Sequence, residues 1–94
     1  MEADDIDRIE SAGNYAVVHS GEERHIIRET MSTLEEELSA TDFVRLNRSL
    51  IVNVRTIVEL RSQGQGDYVA LLKGGKRIRV TVGLRELEQR LKFG

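Results

Sequence analysis

Phe43 to Asn53 reads F-V-R-L-N-R-S-L-I-V-N, and two patterns meet inside it. Apolar Phe43, Val44 and Leu46 interleave with Arg45, Asn47 and Arg48, whereas Leu50-Ile51-Val52 is a continuous aliphatic run of strand length. Taken as one extended segment, the stretch predicts an anchored strand that presents polar groups on one surface. Each fully buried aliphatic side chain contributes about 1.5–3 kcal/mol, so Arg45, Asn47 and Arg48 would act from a fixed backbone. Two guanidiniums flanking an amide suit phosphates and base edges, because the guanidinium offers a fork of donors and the amide both donates and accepts. A plain strand with a charged outer face has the same pattern.

Downstream, Asn53-Val54-Arg55-Thr56 forms a corner before a strand at Ile57–Leu60, and Ser62–Asp67 (S-Q-G-Q-G-D) is the most loop-like segment. Tyr68–Leu72 returns as a strand, and Lys73-Gly74-Gly75-Lys76 closes a hairpin, since paired glycines accept the positive φ of primed turns. In the next strand Ile78, Val80 and Val82 alternate with Arg77, Arg79 and Thr81. Gly83 then caps a final helix striped by Leu84, Leu87 and Leu91.

Upstream, three short strands form a meander: Ile6–Ser11, Tyr15–His19 and Arg24–Arg28, joined through Ala12-Gly13-Asn14 and Ser20–Glu23. The period then changes. Met31, Leu34 and Leu38 share one helical face, and Ser32-Thr33-Leu34-Glu35 has the form of a capping box, predicting a short helix over Thr33–Leu38. Glu35, Glu36 and Glu37 read as its solvated face, with acids in the first turn favoured by the helix dipole. The expected fold class is mainly β: short antiparallel strands in successive small sheets with two short helices, in one domain over residues 1–94.

The 94 residues include no Cys and no Pro, so no disulfide framework or thiolate metal site is available. No apolar run reaches the about 18 residues of a membrane span, and the acidic start Met1-Glu2-Ala3-Asp4-Asp5 is unlike a signal peptide. A cytoplasmic domain without membrane contact is expected. The net charge of −2 hides an asymmetry: residues 1–42 hold 12 acids and 3 bases, residues 43–94 hold 4 acids and 11 bases. Such a division points to an anionic partner, because a ligand responds to the local field and not to the total.

Catalytic signatures do not assemble. His19 and His25 lie in adjacent predicted strands and would make a metal site only with a carboxylate; ordinary surface histidines fit better. Ser49 lacks elbow glycines, Gly64-Gln65-Gly66 lacks the third glycine of a dinucleotide loop, and Gly74-Gly75-Lys76 lacks Walker spacing. No enzyme activity and no cofactor are expected.

The order of signals is familiar. I-E-S-A-G-N-Y-A-V-V-H (9–19), R-E-T-M-S-T-L-E-E-E-L (28–38), D-F-V-R-L-N-R-S-L-I-V-N (42–53) and G-K-R-I-R-V-T (75–81) together resemble the LytTR family, most specifically in the R-x-[HN]-R-S-x-x-V-N pattern at Arg45–Asn53. The resemblance implies a DNA-binding output module of bacterial transcription regulators, with an elongated β fold that docks loops into successive major grooves. By that resemblance, Asn14 and Tyr15, together with Arg85 before the last helix, would read bases. Arg45, Asn47, Arg48 and Ser49 would supply the central contacts, mostly to phosphates, and Arg77 and Arg79, beside Lys73 and Lys76, would extend the same cationic surface. Two positions depart from the family pattern: Asn47 stands where many members have His, and Gly83 where members often carry a basic residue. The implied partner is double-stranded DNA at paired or repeated sites, with a receiver or sensor domain upstream and a homodimer open. The competing reading is a protein-interaction module whose acidic and basic halves pair, without DNA binding.

Overall fold

The computed structural model describes residues 5–38, 42–64 and 67–81. Among these residues, eight strands make two antiparallel sheets. The first contains β1 (Arg8–Ala12), β2 (Tyr15–Ser20), β3 (Glu23–Ile27), β4 (Phe43–Asn47) and β5 (Leu50–Asn53) in the order β3-β2-β1-β5-β4. The second is β6 (Ile57–Gly64), β7 (Asp67–Leu72) and β8 (Arg77–Val80), in sequence order. One helix, α1 (Met31–Glu37), and a 3-10 turn at Val54–Thr56 complete the described elements.

The mainly β expectation holds, but the deciding stretch is a hairpin and not one strand. Its halves pair Phe43 with Asn53, Val44 with Val52 and Arg45 with Ile51 across a turn at Arg48-Ser49. The continuous aliphatic run now has a physical reason. Strand side chains alternate between faces, and β5 is buried on both: Ile51 packs with Ile9, Ala16, Val18 and Phe43 beneath Met31 and Leu34 of the helix. Leu50 and Val52, with Val44 and Leu46, meet Ala70, Leu72 and Val80 of the second sheet. An irregularity between Arg45 and Asn47 leaves Leu46 as an extra residue in that second core, where it is fully buried.

The helix begins earlier than its capping box predicts. Thr30, not Ser32, is the N-cap, and its hydroxyl accepts from the Thr33 amide at 3.0 Å. Starting at Met31 puts Met31 and Leu34 on the buried face, and no acid falls in the first turn. Glu35 is therefore no capping partner; it reaches Arg45 instead. The predicted Ser62–Asp67 loop is largely strand, with β6 continuing to Gly64 and β7 starting at Asp67. Gly74 and Gly75 take φ of 91° and 89° in the hairpin they were expected to close. His19 pairs with Arg24 and His25 with Val18, so the two histidines lie on opposite faces of the sheet. The predicted final helix, with Gly83, Leu84, Leu87 and Leu91, and the site residue Arg85 lie outside the described residues.

Asn53, the last residue of the R-x-N-R-S-x-x-V-N run, is buried and structural. Its side-chain amide donates to the Ile6 carbonyl at 3.1 Å, and its Oδ1 accepts from the Arg55 amide at 3.1 Å, capping the 3-10 turn.

Candidate nucleic-acid interface

The hairpin tip is built by the motif's own polar residues. Asn47 Oδ1 accepts from the Ser49 amide at 2.8 Å, a side-chain closure that mimics a backbone turn. Arg45 donates from Nε to the Asn47 carbonyl at 3.2 Å and from Nη2 to the Arg48 carbonyl at 2.8 Å. Its remaining Nη1 lies 3.3 Å from Glu35 Oε1. Arg45 therefore sits on the helix-side face, with its side chain 19% exposed and its charge met by an internal carboxylate. The expected joint ridge of Arg45 and Arg48 is not formed, because the alternation of β4 sends Arg45 beneath the turn. What faces solvent at the tip is Arg48 and Ser49, both exposed. Among the described residues no carboxylate pairs with Arg48.

Three segments distant in sequence meet at this end of the molecule. The Ser11 amide donates to the Ser49 carbonyl at 2.9 Å, which sets the β1–β2 turn beside the tip. That turn holds Gly13 at φ 62°, a left-handed conformation that glycine adopts without strain. It presents Asn14 as an exposed residue and Tyr15 at 48% exposure. From the second sheet, Asn47 Nδ2 lies 3.4 Å from the Arg79 carbonyl, and the Thr81 amide donates to the Leu46 carbonyl at 2.8 Å. Arg79 is exposed and stands 3.6 Å from Asp67.

Arg77 shares the outer face of β8 with Arg79, but it pairs opposite Leu71, one step back toward the Lys73–Lys76 hairpin. That hairpin is at the far end, where the Lys73 amide donates to the Thr56 carbonyl at 2.9 Å. The positive surface expected to be continuous is thus two groups, Arg48 with Arg79 at the tip and the lysines remote from it.

Arg28 belongs to none of the sequence motifs from which DNA contacts are expected at this end of the molecule. It lines an open cleft of about 420 Å³ with Ser11, Asn14, Tyr15 and Thr30. The signal was present in the expected meander: pairing Ala16 with Ile27 brings the next residue of each strand, Tyr15 and Arg28, side by side.

Elsewhere on the sheet, the hydrogen bond from Arg8, at 2.9 Å, holds the Glu10 carboxyl below its usual range against the opposing effect of partial burial. Burial, and then the nearby Arg8, hold His19 below the ordinary histidine value, while Glu10 acts the other way. Its Nε2 is buried without a hydrogen-bond partner, 3.6 Å from Glu10 Oε1. Among the described residues, no group of three or more His, Cys, Asp or Glu is placed to hold a metal, and no helix is long and apolar enough to cross a membrane.

Comparison with known proteins agrees with this architecture. The family model described as the LytTr DNA-binding domain matches residues 1–92. Sensory transduction protein LytT of Bacillus subtilis (strain 168) is 30% identical over 57 residues, covering 61% of this chain and 24% of that protein. The chain thus spans about a quarter of that relative's length. In fold, it is similar to the solved LytTr DNA-binding domain of a Bacillus cereus protein, with a TM-score of 0.81 at 21% identity, covering 96% of this chain and 84% of that one.

Proposed function

The chain belongs to the LytTr DNA-binding domain family, and from that premise we propose that it binds duplex DNA sequence-specifically as the output domain of a transcription regulator. The observation that carries this reading is the convergence of Gly13–Tyr15, Arg48-Ser49 and Arg79–Thr81 at one end of the molecule, tied together by backbone and amide hydrogen bonds. Phosphate contacts position a protein and base-edge contacts specify sequence. Arg48, Ser49 and Arg79 are suited to phosphates, with Arg77 beyond them. Asn14 and Tyr15, on a turn narrow enough to enter a major groove, are suited to bases, and Arg85 keeps the base-reading role that the family resemblance gives it. Arg45 and Asn47 act by folding the tip, not by touching DNA.

In this role the domain works downstream of a receiver or sensor in a longer cytoplasmic regulator and meets paired sites as two copies. It performs no catalysis and takes no cofactor. A mobility shift with duplex DNA over a range of salt concentrations tests the reading. Each phosphate neutralised adds about −0.9 to the slope of log affinity against log salt, so a tip with two cations, Arg48 and Arg79, predicts a slope of about −1.8 from these contacts. Selection of bound duplexes from a random pool then tests specificity. The competing reading, an interaction module without DNA binding, draws on the exposed β3 edge, where Ile26 is 70% exposed; it predicts no shift at any salt.

A further inference from the structure

At the end remote from the tip lies a cleft of about 190 Å³, room for roughly six water molecules, whose walls include Asp7, Arg8, Arg55, Thr56, Lys73 and Lys76. Four of these six residues are cations, drawn from three separate places in the chain. We propose that this cleft is a phosphate-binding site, distinct from the DNA-facing tip, in which Lys73 and Lys76 hold the oxyanion.

The two carboxylates nearby are already engaged. Asp7 Oδ1 stands 3.0 Å from Arg55 Nη2, and its Oδ2 accepts from the Gly21 amide at 2.9 Å. Glu10 is bound to Arg8 at 2.9 Å. Asp7 and Glu10 thus balance Arg55 and Arg8, and the charge left over belongs to Lys73 and Lys76, which are exposed and pair with no carboxylate among the described residues. An ammonium is a compact point charge that suits a phosphate oxygen without demanding a planar fork.

The hairpin carrying the lysines is fixed. The Lys73 amide is bound to Thr56, the Leu72 amide donates to the Lys76 carbonyl at 2.8 Å, and the Gly75 amide donates to the Leu72 carbonyl at 3.1 Å. The glycine pair between them occupies the left-handed region in both positions, so the backbone fixes where the two lysines leave the hairpin and their flexible stems adjust to the ligand. Burial does most to keep the His19 ring neutral, and Arg8 and, more weakly, Lys76 act in the same direction against Glu10. A positive concavity with a fixed hairpin and internally balanced carboxylates is what an oxyanion requires.

The phosphate has two candidate sources, a free phosphorylated small molecule or a DNA backbone phosphate outside the span covered by the tip. Amide chemical shifts of the 94-residue chain, titrated with inorganic phosphate and pyrophosphate at constant ionic strength, test the site itself. Saturable shifts are expected at Thr56, Lys73 and Lys76, tighter for pyrophosphate, with Ser49 and Asn14 unmoved. The double variant Lys73→Gln/Lys76→Gln, at exposed positions, should weaken that binding about tenfold or more, and Arg48→Ala should leave it intact. Titrating the double variant with duplexes of increasing length then separates the sources. Affinity lost only for the longer duplexes assigns the site to DNA, and unchanged DNA affinity assigns it to a small ligand. Shifts that fail to saturate, or that appear equally at every basic loop, overturn the proposal without touching the DNA-binding reading, which the mobility shift tests separately.

Discussion

Arg45 donates to the backbone carbonyl of Arg48 at 2.8 Å, so the first arginine of the motif holds the second in position. The two should fail differently. Arg48→Ala leaves stability within about 0.5 kcal/mol, as is usual for an exposed surface site, weakens binding to specific and random duplexes alike, and lowers the salt slope by about 0.9. Arg45→Ala lowers unfolding free energy by about 1.5–3 kcal/mol, the range for charge-assisted hydrogen bonds, and loses DNA binding as a consequence. Arg45→Lys does not restore it, because one ammonium cannot span two carbonyls and a carboxylate. Denaturant unfolding paired with DNA titration distinguishes the two roles.

Asn14→Ala should cost about 1–3 kcal/mol on the preferred duplex and far less on random sequence, as expected for the loss of a bidentate contact to a base. Arg28→Ala, at the neighbouring wall of the same cleft, should weaken both duplexes by a similar factor. Competition titrations against a selected site give the ratio, and uniform losses from both variants remove base readout from the β1–β2 turn.

Asn53→Ala leaves the Ile6 carbonyl and the Arg55 amide without their buried partner. The expected loss is about 1–3 kcal/mol of stability, read from urea unfolding. DNA affinity measured well below the melting temperature should be unchanged, because Asn53 lies at the end of β5 away from the Arg48-Ser49 turn.

His19, largely buried on its face of the sheet, gives stability a pH dependence. His19 binds its proton less readily when folded than when unfolded, where its pKa is near 6.5. As pH falls below about 6.5, the unfolded chain takes up that proton first and stability declines, levelling only below the folded-state value. Glu10 adds in the same direction at lower pH: its folded pKa is depressed, so its contribution is present above its unfolded value of 4.5 and is lost as pH falls through the folded one. Unfolding midpoints between pH 8 and about 5 should fall for the native chain and fall less for His19→Gln.

Much of this structure was legible in the sequence, for identifiable reasons. Period-two alternation placed β8, and Gly74-Gly75 marked its hairpin, because both signals are local. The doubly buried β5 was visible as Leu50-Ile51-Val52, but its meaning depended on two sheets that only the folded chain brings together. The turn at Arg48-Ser49 was hidden because it lacks glycine; Asn47 and Arg45 close it with side chains, and those same residues looked like ligands for DNA. Polar groups that satisfy a backbone and polar groups that await a partner have one composition. The capping box at Ser32 misled for a related reason: burial of Met31 starts the helix two residues earlier, with Thr30 as its cap. Of the candidate interface, Asn14, Tyr15, Arg48, Ser49 and Arg79 come together as a group, while Arg45 turns inward and Arg77 leads away.

The bond from the Ser11 amide to the Ser49 carbonyl makes the interval between two turns a property of main chain, beyond the reach of rotamer adjustment. On the proposed reading, this is a gauge of fixed length laid against a helix whose groove dimensions vary with its base steps. Any misfit must be taken up by the duplex, through local bending or untwisting whose cost depends on sequence. Part of the discrimination then comes from the pliancy of base pairs that no side chain reaches.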